Sequence, residues 1–217
     1  MRLNPSLSDP DYLIFKLRRP IVEKWCAAIG DVDLVVLDIG GRIQPYRSFL
    51  QTSAKHYVAV DLMLEGLVNV VATGEKLPFM DGCCDLVLCN DTFQYVPNPA
   101  SAVNEIYRVL RKGGRLILST RGSYPEHHDE YWRFLPNALR HLTTAFSKVE
   151  VAPEGYSAAG MAILVNVLLH RSIRADWLNR IARITTIPFL NLLGLWLDRF
   201  FVGHTRSTCG YSLLAVK

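Results

Sequence analysis

Val35-Val36-Leu37-Asp38-Ile39-Gly40-Gly41 is an apolar run that ends in an acid and two glycines. Such a run reads as a buried parallel strand entering a glycine turn, where backbone can approach a ligand closely. A second run, His56-Tyr57-Val58-Ala59-Val60, ends in Asp61. An acid about 20 residues beyond the turn, at the tip of the next strand, suits the paired hydroxyls of a ribose. The two runs together predict a binding edge for a nucleoside-containing cofactor.

Outward from this edge, strands and helices alternate. Short runs rich in Val, Leu and Ile predict strands at 34–38, 57–61, 68–71, 85–90, 115–119 and 148–152. Helices are expected at 46–52, 100–111 and 136–145, the second stopped by Lys112-Gly113-Gly114. A lead-in helix spans Asp9 to Ile29, with Asp9 as its cap and Pro20 as a kink or break. Regular βα alternation implies an α/β, doubly wound, mostly parallel sheet of seven strands, covered by helices on both faces.

The chain is long enough for one full core plus a small appendage, and half of it is hydrophobic, which argues against disorder. Residues 1–154 carry 17 Lys/Arg and 18 Asp/Glu, whereas residues 155–217 carry 7 and 2. The basicity therefore belongs to the last segment, with no Lys/Arg stripe interleaved with aromatics, so a nucleic-acid partner is not expected. Five cysteines form no CxxC pair and no metal spacing, so no metal is expected. Their odd number, with no signal peptide, predicts reduced thiols in a cytoplasmic protein. No run reaches the roughly 20 apolar residues of a membrane span.

A pyrophosphate needs the fuller GxGxxG turn. Here Gly41 is followed by Arg42-Ile43-Gln44-Pro45, which does not fit a dinucleotide. S-adenosylmethionine carries no phosphate and needs one close backbone approach and an acid for its ribose. The chain resembles the class I, Rossmann-like S-adenosylmethionine-dependent methyltransferases, in particular the small-molecule type-11 group. Four blocks in the family's order carry the resemblance: VVLDIGG (35–41), YVAVDL (57–62), GEKLPFMDGCCDLVLCNDTFQYVPNP (74–99) and NEIYRVLRKGGRLILST (104–120). The resemblance implies that Asp38, Gly40 and Gly41 line the methionine side of the cofactor and that Asp61 holds the ribose. It places Gly74 and Glu75 near the adenine, Asn90 and Asp91 beside the sulfonium, and Phe93 against them. The family pattern is broken at Arg42 and Gln44, where glycines are usual, and at Thr73, where an acid is common. Gln94-Tyr95 stands where Glu-His is frequent. Arg42 is the departure of most concern, because a side chain there meets the cofactor's path and positive φ disfavours it.

Methyl transfer is an in-line displacement in which positioning supplies much of the rate. A base is needed only if the acceptor must lose a proton. His127 and His128 follow the fifth strand, at the edge where such sheets bind ligands, and are the candidate bases or acceptor binders. Gln94, Tyr95, Asp129, Tyr131, Trp132 and Arg133 are the candidate acceptor-facing residues. The resemblance implies methyl transfer to an oxygen, less often N or C, of a small metabolite, with a saccharide or lipid-linked saccharide as the preferred class. The alternative is a fold without catalysis that serves as a binding or partner subunit.

The chain is thus divided into 1–154, the lead-in helix and Rossmann-like core; 155–210, a helical insertion; and 211–217, the last strand of the core. A structureless loop of over fifty residues is improbable, and 161–169, 177–184 and 187–202 are apolar-rich with five arginines interspersed. The segment reads as helices packed on the sheet edge, as a lid, as a homodimer face, or as an interfacial element at the inner face of a membrane.

Overall fold

The computed structural model describes residues 4–30, 33–50, 53–125, 129–205 and 207–217. Seven strands form one sheet: β1 (Leu34–Ile39), β2 (Ala54–Asp61), β3 (Val70–Val71), β4 (Cys84–Asn90), β5 (Leu110–Arg121), β6 (Lys148–Pro153) and β7 (Gly210–Val216). Their order is β3-β2-β1-β4-β5-β7-β6. The first five are parallel to one another, and β7 runs antiparallel to both β5 and β6. From β1 the chain winds outward to β2 and β3, then returns to place β4 on the other side. The reversal opens a crevice at the strand tips between β1 and β4.

Side chains alternate across this sheet with period two. Val36, Leu86, Leu88 and Ile117 meet Val22, Trp25 and Cys26 of helix α1 (Tyr12–Ala27), with Tyr46 and Leu50 completing the layer. Leu37, Val87, Leu116 and Leu118 face the other way, onto Ala102, Val103, Ile106 and Val109 of helix α2 (Pro99–Val109). Those four α2 positions recur every three or four residues and so form one helix stripe. Asn98 caps the helix by accepting from the Ser101 amide at 3.1 Å, and Pro99 follows at a position where no amide partner is lost. Helix α3 (Pro136–Leu142) adds Leu139 to the same core.

Three local expectations are corrected. Pro20 neither breaks nor divides α1. Pro20 and Lys16, whose carbonyl loses its helix partner, are both exposed, so water can satisfy that carbonyl. Buried Leu13, Ile14 and Arg18 before it, and Val22, Trp25 and Cys26 after it, hold the two halves on one line. The expected helix at 46–52 shortens to a 3₁₀ turn at Arg47–Leu50. Helix α2 ends at Val109, and Gly113, at φ 78°, turns the chain inside β5.

Between β6 and β7 stand helices α4 (Ser157–Ser172), α5 (Asp176–Ile184) and α6 (Thr186–Asp198). Leu13 and Ile14 of α1 pack with Ala159, Ile163 and Val167 of α4, so the lead-in helix joins the insertion to the sheet.

Candidate cofactor and acceptor site

Strand register assembles the cofactor edge. Asp38 lies beside Ala59 on one side and Leu88 on the other, which brings Gly40, Asp61 and Asn90 to three neighbouring strand tips. Gly40 has φ 77° and donates its amide to the Val60 carbonyl at 2.7 Å. A methyl group on Gly40 would lie 1.8 Å from Thr92 Oγ1, and one on Gly41 would lie 2.8 Å from the Asp38 carboxyl carbon. Only glycine fits at either position. Around Gly74 such a methyl would make ordinary contacts, 3.6 Å to Ile39 and 3.9 Å to Ala102, so space there does not demand glycine.

Asp38 is buried and accepts from the Tyr57 hydroxyl at 2.6 Å. Burial pushes its carboxyl up to about 7, against the hydrogen bond from Tyr57 and with help from Asp61. Because the folded value lies above the unfolded one, the native state holds the proton more tightly. This carboxyl therefore favours folding most below about pH 4 and loses that contribution as pH rises toward about 7. Comparing melting temperatures of the wild type and Asp38→Asn across this window should show the wild type declining relative to the variant. Parallel curves would mean that Asp38 is already ionised.

Arg42 is not at positive φ; Gln44, at φ 48°, is. The Gln44 amide donates to the Leu67 carbonyl at 2.8 Å and accepts from Arg47, which supports the turn without glycine. Arg42 instead reaches across the strand tips, 3.4 Å from Asp61 and 3.1 Å from Glu65. Its side chain is 40% exposed, so the pairing is weak and reversible. Asp61 also accepts from the Leu62 amide.

Asn90 ends β4 with its Oδ1 buried and without a hydrogen-bond partner among the described residues. Asp91, at φ 51°, turns away from the edge. Its carboxylate sits 2.6 Å from Arg18 of α1 and 3.8 Å from Arg121 at the end of β5. Arg18 is fully buried and also binds Glu154 at 2.8 Å. Burial works against the Arg18 charge, and Asp91 and Glu154 more than offset it, so the guanidinium stays protonated. Glu154 accepts from Ser212 of β7 at 2.7 Å, and Ser212 meets Ser119 of β5 at 3.0 Å. The cluster thereby ties α1, β4, β5 and β7 together beneath the site.

Several expected site residues do other work. Gln94 is fully buried; its amide donates to the Asp91 carbonyl and accepts from Thr120, so it faces no acceptor. Phe93 is a core residue against Phe134, with ring centroids 5.2 Å apart. Glu75 accepts from the Asn98 amide at the start of α2. Trp132 donates to the Val96 carbonyl, and Arg133 pairs with Glu130 and the Pro125 carbonyl; Tyr131 and Asp129 are exposed beside them. Tyr95 is half-buried, its hydroxyl pushed up by burial. His127 and His128 lie outside the described residues.

A cavity of about 360 Å³ opens between the start of α1, the loop after β5, and α4 with α5. Asp9, Asp11, Tyr124, His170, Arg171 and Arg183 line it. Tyr124 donates to Asp11 at 2.7 Å, with Arg121 4.2 Å and Arg171 5.6 Å from its ring centre. His170 Nδ1 lies 2.8 Å from Asn179 Oδ1, while Asn179 Nδ2 donates to the His170 carbonyl. An amide oxygen only accepts, so Nδ1 carries a ring proton, and in the neutral ring the lone pair is on Nε2. Sequence reading missed this wall because its residues come from three distant segments and none forms a motif.

The fold is Rossmann-like, and its glycine-and-acid edge lies at the topological switch point of the sheet. Residues 37–118 match the type-11 family described as "Methyltransferase domain". The chain is 33% identical over 109 residues to a malonyl-[acyl-carrier protein] O-methyltransferase of Marinomonas sp., covering 42% of this chain and 40% of that protein. The chain spans less than half the length of the curated relatives it matches first. Among solved structures it resembles YcgJ of Bacillus subtilis (18% identity, TM-score 0.53, 91% of this chain and 97% of that one). It also resembles phosphoethanolamine N-methyltransferase 2 of Haemonchus contortus, solved with phosphomonomethylethanolamine and S-adenosylhomocysteine (16% identity, TM-score 0.57, 92% of this chain and 53% of that one). Over residues 37–118 the chain is thus similar to the type-11 methyltransferases, and its fold is that of the solved methyltransferase-like structures.

Proposed function

We propose that this chain transfers a methyl group from S-adenosylmethionine to an oxygen of a small, hydroxyl-rich metabolite, with a saccharide or lipid-linked saccharide as the acceptor class. The observation that carries the reading is the convergence of Gly40, Asp61 and Asn90 on three adjacent strand tips. The residues present fit the cofactor. Asp61 offers a carboxylate to a ribose once Arg42 swings aside, and Asn90 Oδ1 is an acceptor in want of a donor.

The cofactor supplies a methyl group already activated on sulfur, and displacement leaves the carbon–sulfur electron pair on that atom. The acceptor oxygen gives up its proton to a base or to water. The cavity beside Tyr124 suits the acceptor, since Asp9 and Asp11 can take hydroxyl hydrogens while Arg171 and Arg183 donate. His170, with a lone pair on Nε2, is the described residue best equipped to receive the proton. The similarity to an O-methyltransferase supports oxygen as the atom methylated.

The Arg42–Asp61 pairing favours one competing reading, a methyltransferase-like fold that binds partners and not cofactor. Calorimetric titration with S-adenosylmethionine and S-adenosylhomocysteine separates the two. Wild type is expected to bind both, and Asp61→Ala to lose about 10- to 100-fold in affinity, the worth of a charged hydrogen bond. Arg42→Ala should bind severalfold tighter by releasing Asp61. Absence of binding by both wild type and Arg42→Ala would leave the partner-subunit reading standing.

A further inference from the structure

The outer side of the insertion is rich in large apolar side chains. On α5 the large apolar side chains Trp177, Leu178, Ile181 and Ile184 are all exposed, the last at 73%, while Ala182 is buried and Asn179 turns inward to His170. Helix α6 repeats the pattern: Phe189, Leu192 and Trp196 face outward, and Asn191, Gly194 and Asp198 are buried. Helix α4 exposes Met161, Val165 and Leu168, and buries Gly160 and Asn166 beside the apolar Ala159, Ile163 and Val167.

The inner face is held by small residues and polar contacts. A methyl group on Gly194 would lie 2.7 Å from that of Ala162. Asn166 donates to Asn191 at 2.8 Å, and Asp198 accepts from the amides of Tyr156 and Ala159 at the start of α4. Close approach over small residues, polar groups between helices and large apolar groups outside is how helices pack when their surroundings are lipid. No helix among the described residues is long and apolar enough to cross a membrane. Ten large apolar side chains exposed on three consecutive helices differ from the singly scattered apolar residues of an ordinary water-facing surface.

Charge selects the occupant. Arg171, Arg174, Arg180, Arg183 and Arg199 are all exposed on these helices, against Asp176 as the exposed acid of 157–202. Arginines flanking an apolar helix face match anionic headgroups above acyl chains. We propose that α4, α5 and α6 form a monotopic docking surface that lies in the interface of an anionic lipid membrane. Trp177 and Ile184 enter the acyl boundary, and Arg174, Arg180 and Arg199 rest among the headgroups.

Co-sedimentation with phosphatidylcholine vesicles, with and without phosphatidylglycerol, tests this on the full chain. Binding is expected to the anionic vesicles, with a blue shift of tryptophan emission, and to weaken as salt is raised. Arg174→Gln/Arg180→Gln should lose about 25-fold, roughly fivefold per arginine. Trp177→Asp/Ile184→Asp should abolish binding while keeping the wild-type melting temperature, because both side chains face outward. Failure of wild type to bind anionic vesicles overturns the proposal. So does a wild-type dimer by light scattering that Trp177→Asp/Ile184→Asp returns to monomer, for then a second copy covers the face.

Discussion

Arg18→Met is expected to lower the unfolding free energy by about 3–5 kcal/mol, because it leaves two carboxylates buried without their cation. Arg18 is fully buried between Asp91 and Glu154, at 2.6 and 2.8 Å. Methionine fills much of the volume of the arginine stem, so the loss reports charge and not packing. For a chain of this length the melting temperature should fall by roughly 10 °C. The variant carries its own signature. Its orphaned carboxyls will hold protons more tightly when buried than when unfolded, so it should regain stability as pH is lowered. A uniform loss at all pH values would mean that packing and not charge was removed. A loss below about 1 kcal/mol would mean that Arg121, 3.8 Å from Asp91, takes over the pairing.

Gly40→Ala is the second large effect. The added methyl would sit 1.8 Å from Thr92 Oγ1, and the residue must hold φ 77°. Left-handed backbone costs a non-glycine residue roughly 1–2 kcal/mol, and overpacking a fixed neighbour about 1–3 kcal/mol more. The first turn should therefore shift, and cofactor affinity should fall with stability. Gly40→Ala/Thr92→Gly separates the two costs, since it removes the overlap and keeps the strain. The double variant is expected to recover the overpacking part alone in denaturant titration. If Gly40→Ala alone binds S-adenosylmethionine as wild type does, this turn is not part of the cofactor edge.

The core was legible because β1, β4 and β5 are buried on both faces, and a strand so placed must be a continuous apolar run. The insertion helices were legible because a structureless stretch of over fifty apolar-rich residues is improbable. Their orientation was not, since a stripe of Trp177, Ile181 and Ile184 shows that one side is apolar and leaves open which way it faces. Periodicity assumes that apolar means inward, and here it means outward. The departure at Arg42 was visible in the sequence, but the residue that bears the positive φ is Gln44. The path of the turn depends on where Leu67 and Arg47 can meet the Gln44 amide, and that is a tertiary fact. Arg18 gave no signal at all. Its partner Glu154 is 136 residues away, and an arginine on an amphipathic helix ordinarily reads as solvated. Gln94 looked like an acceptor-facing residue because it follows a strand tip; its two hydrogen bonds, to Asp91 and Thr120, close it into the core.

Strand β7 lies between β5 and β6, and β6 has no other neighbour in the sheet. The whole α4–α6 insertion is therefore a loop between two strands that pair with each other. During synthesis, 148–153 waits unpaired, and the three helices must be made and set aside, before 210–216 can seat β6. Losing seven residues at β7 would strip the sheet of two strands and release the insertion from one of its two tethers. Removing the insertion while keeping β6 and β7 would leave a hairpin that a short turn can close. The architecture thus lets the helical segment be exchanged between relatives without redrawing the sheet beneath it.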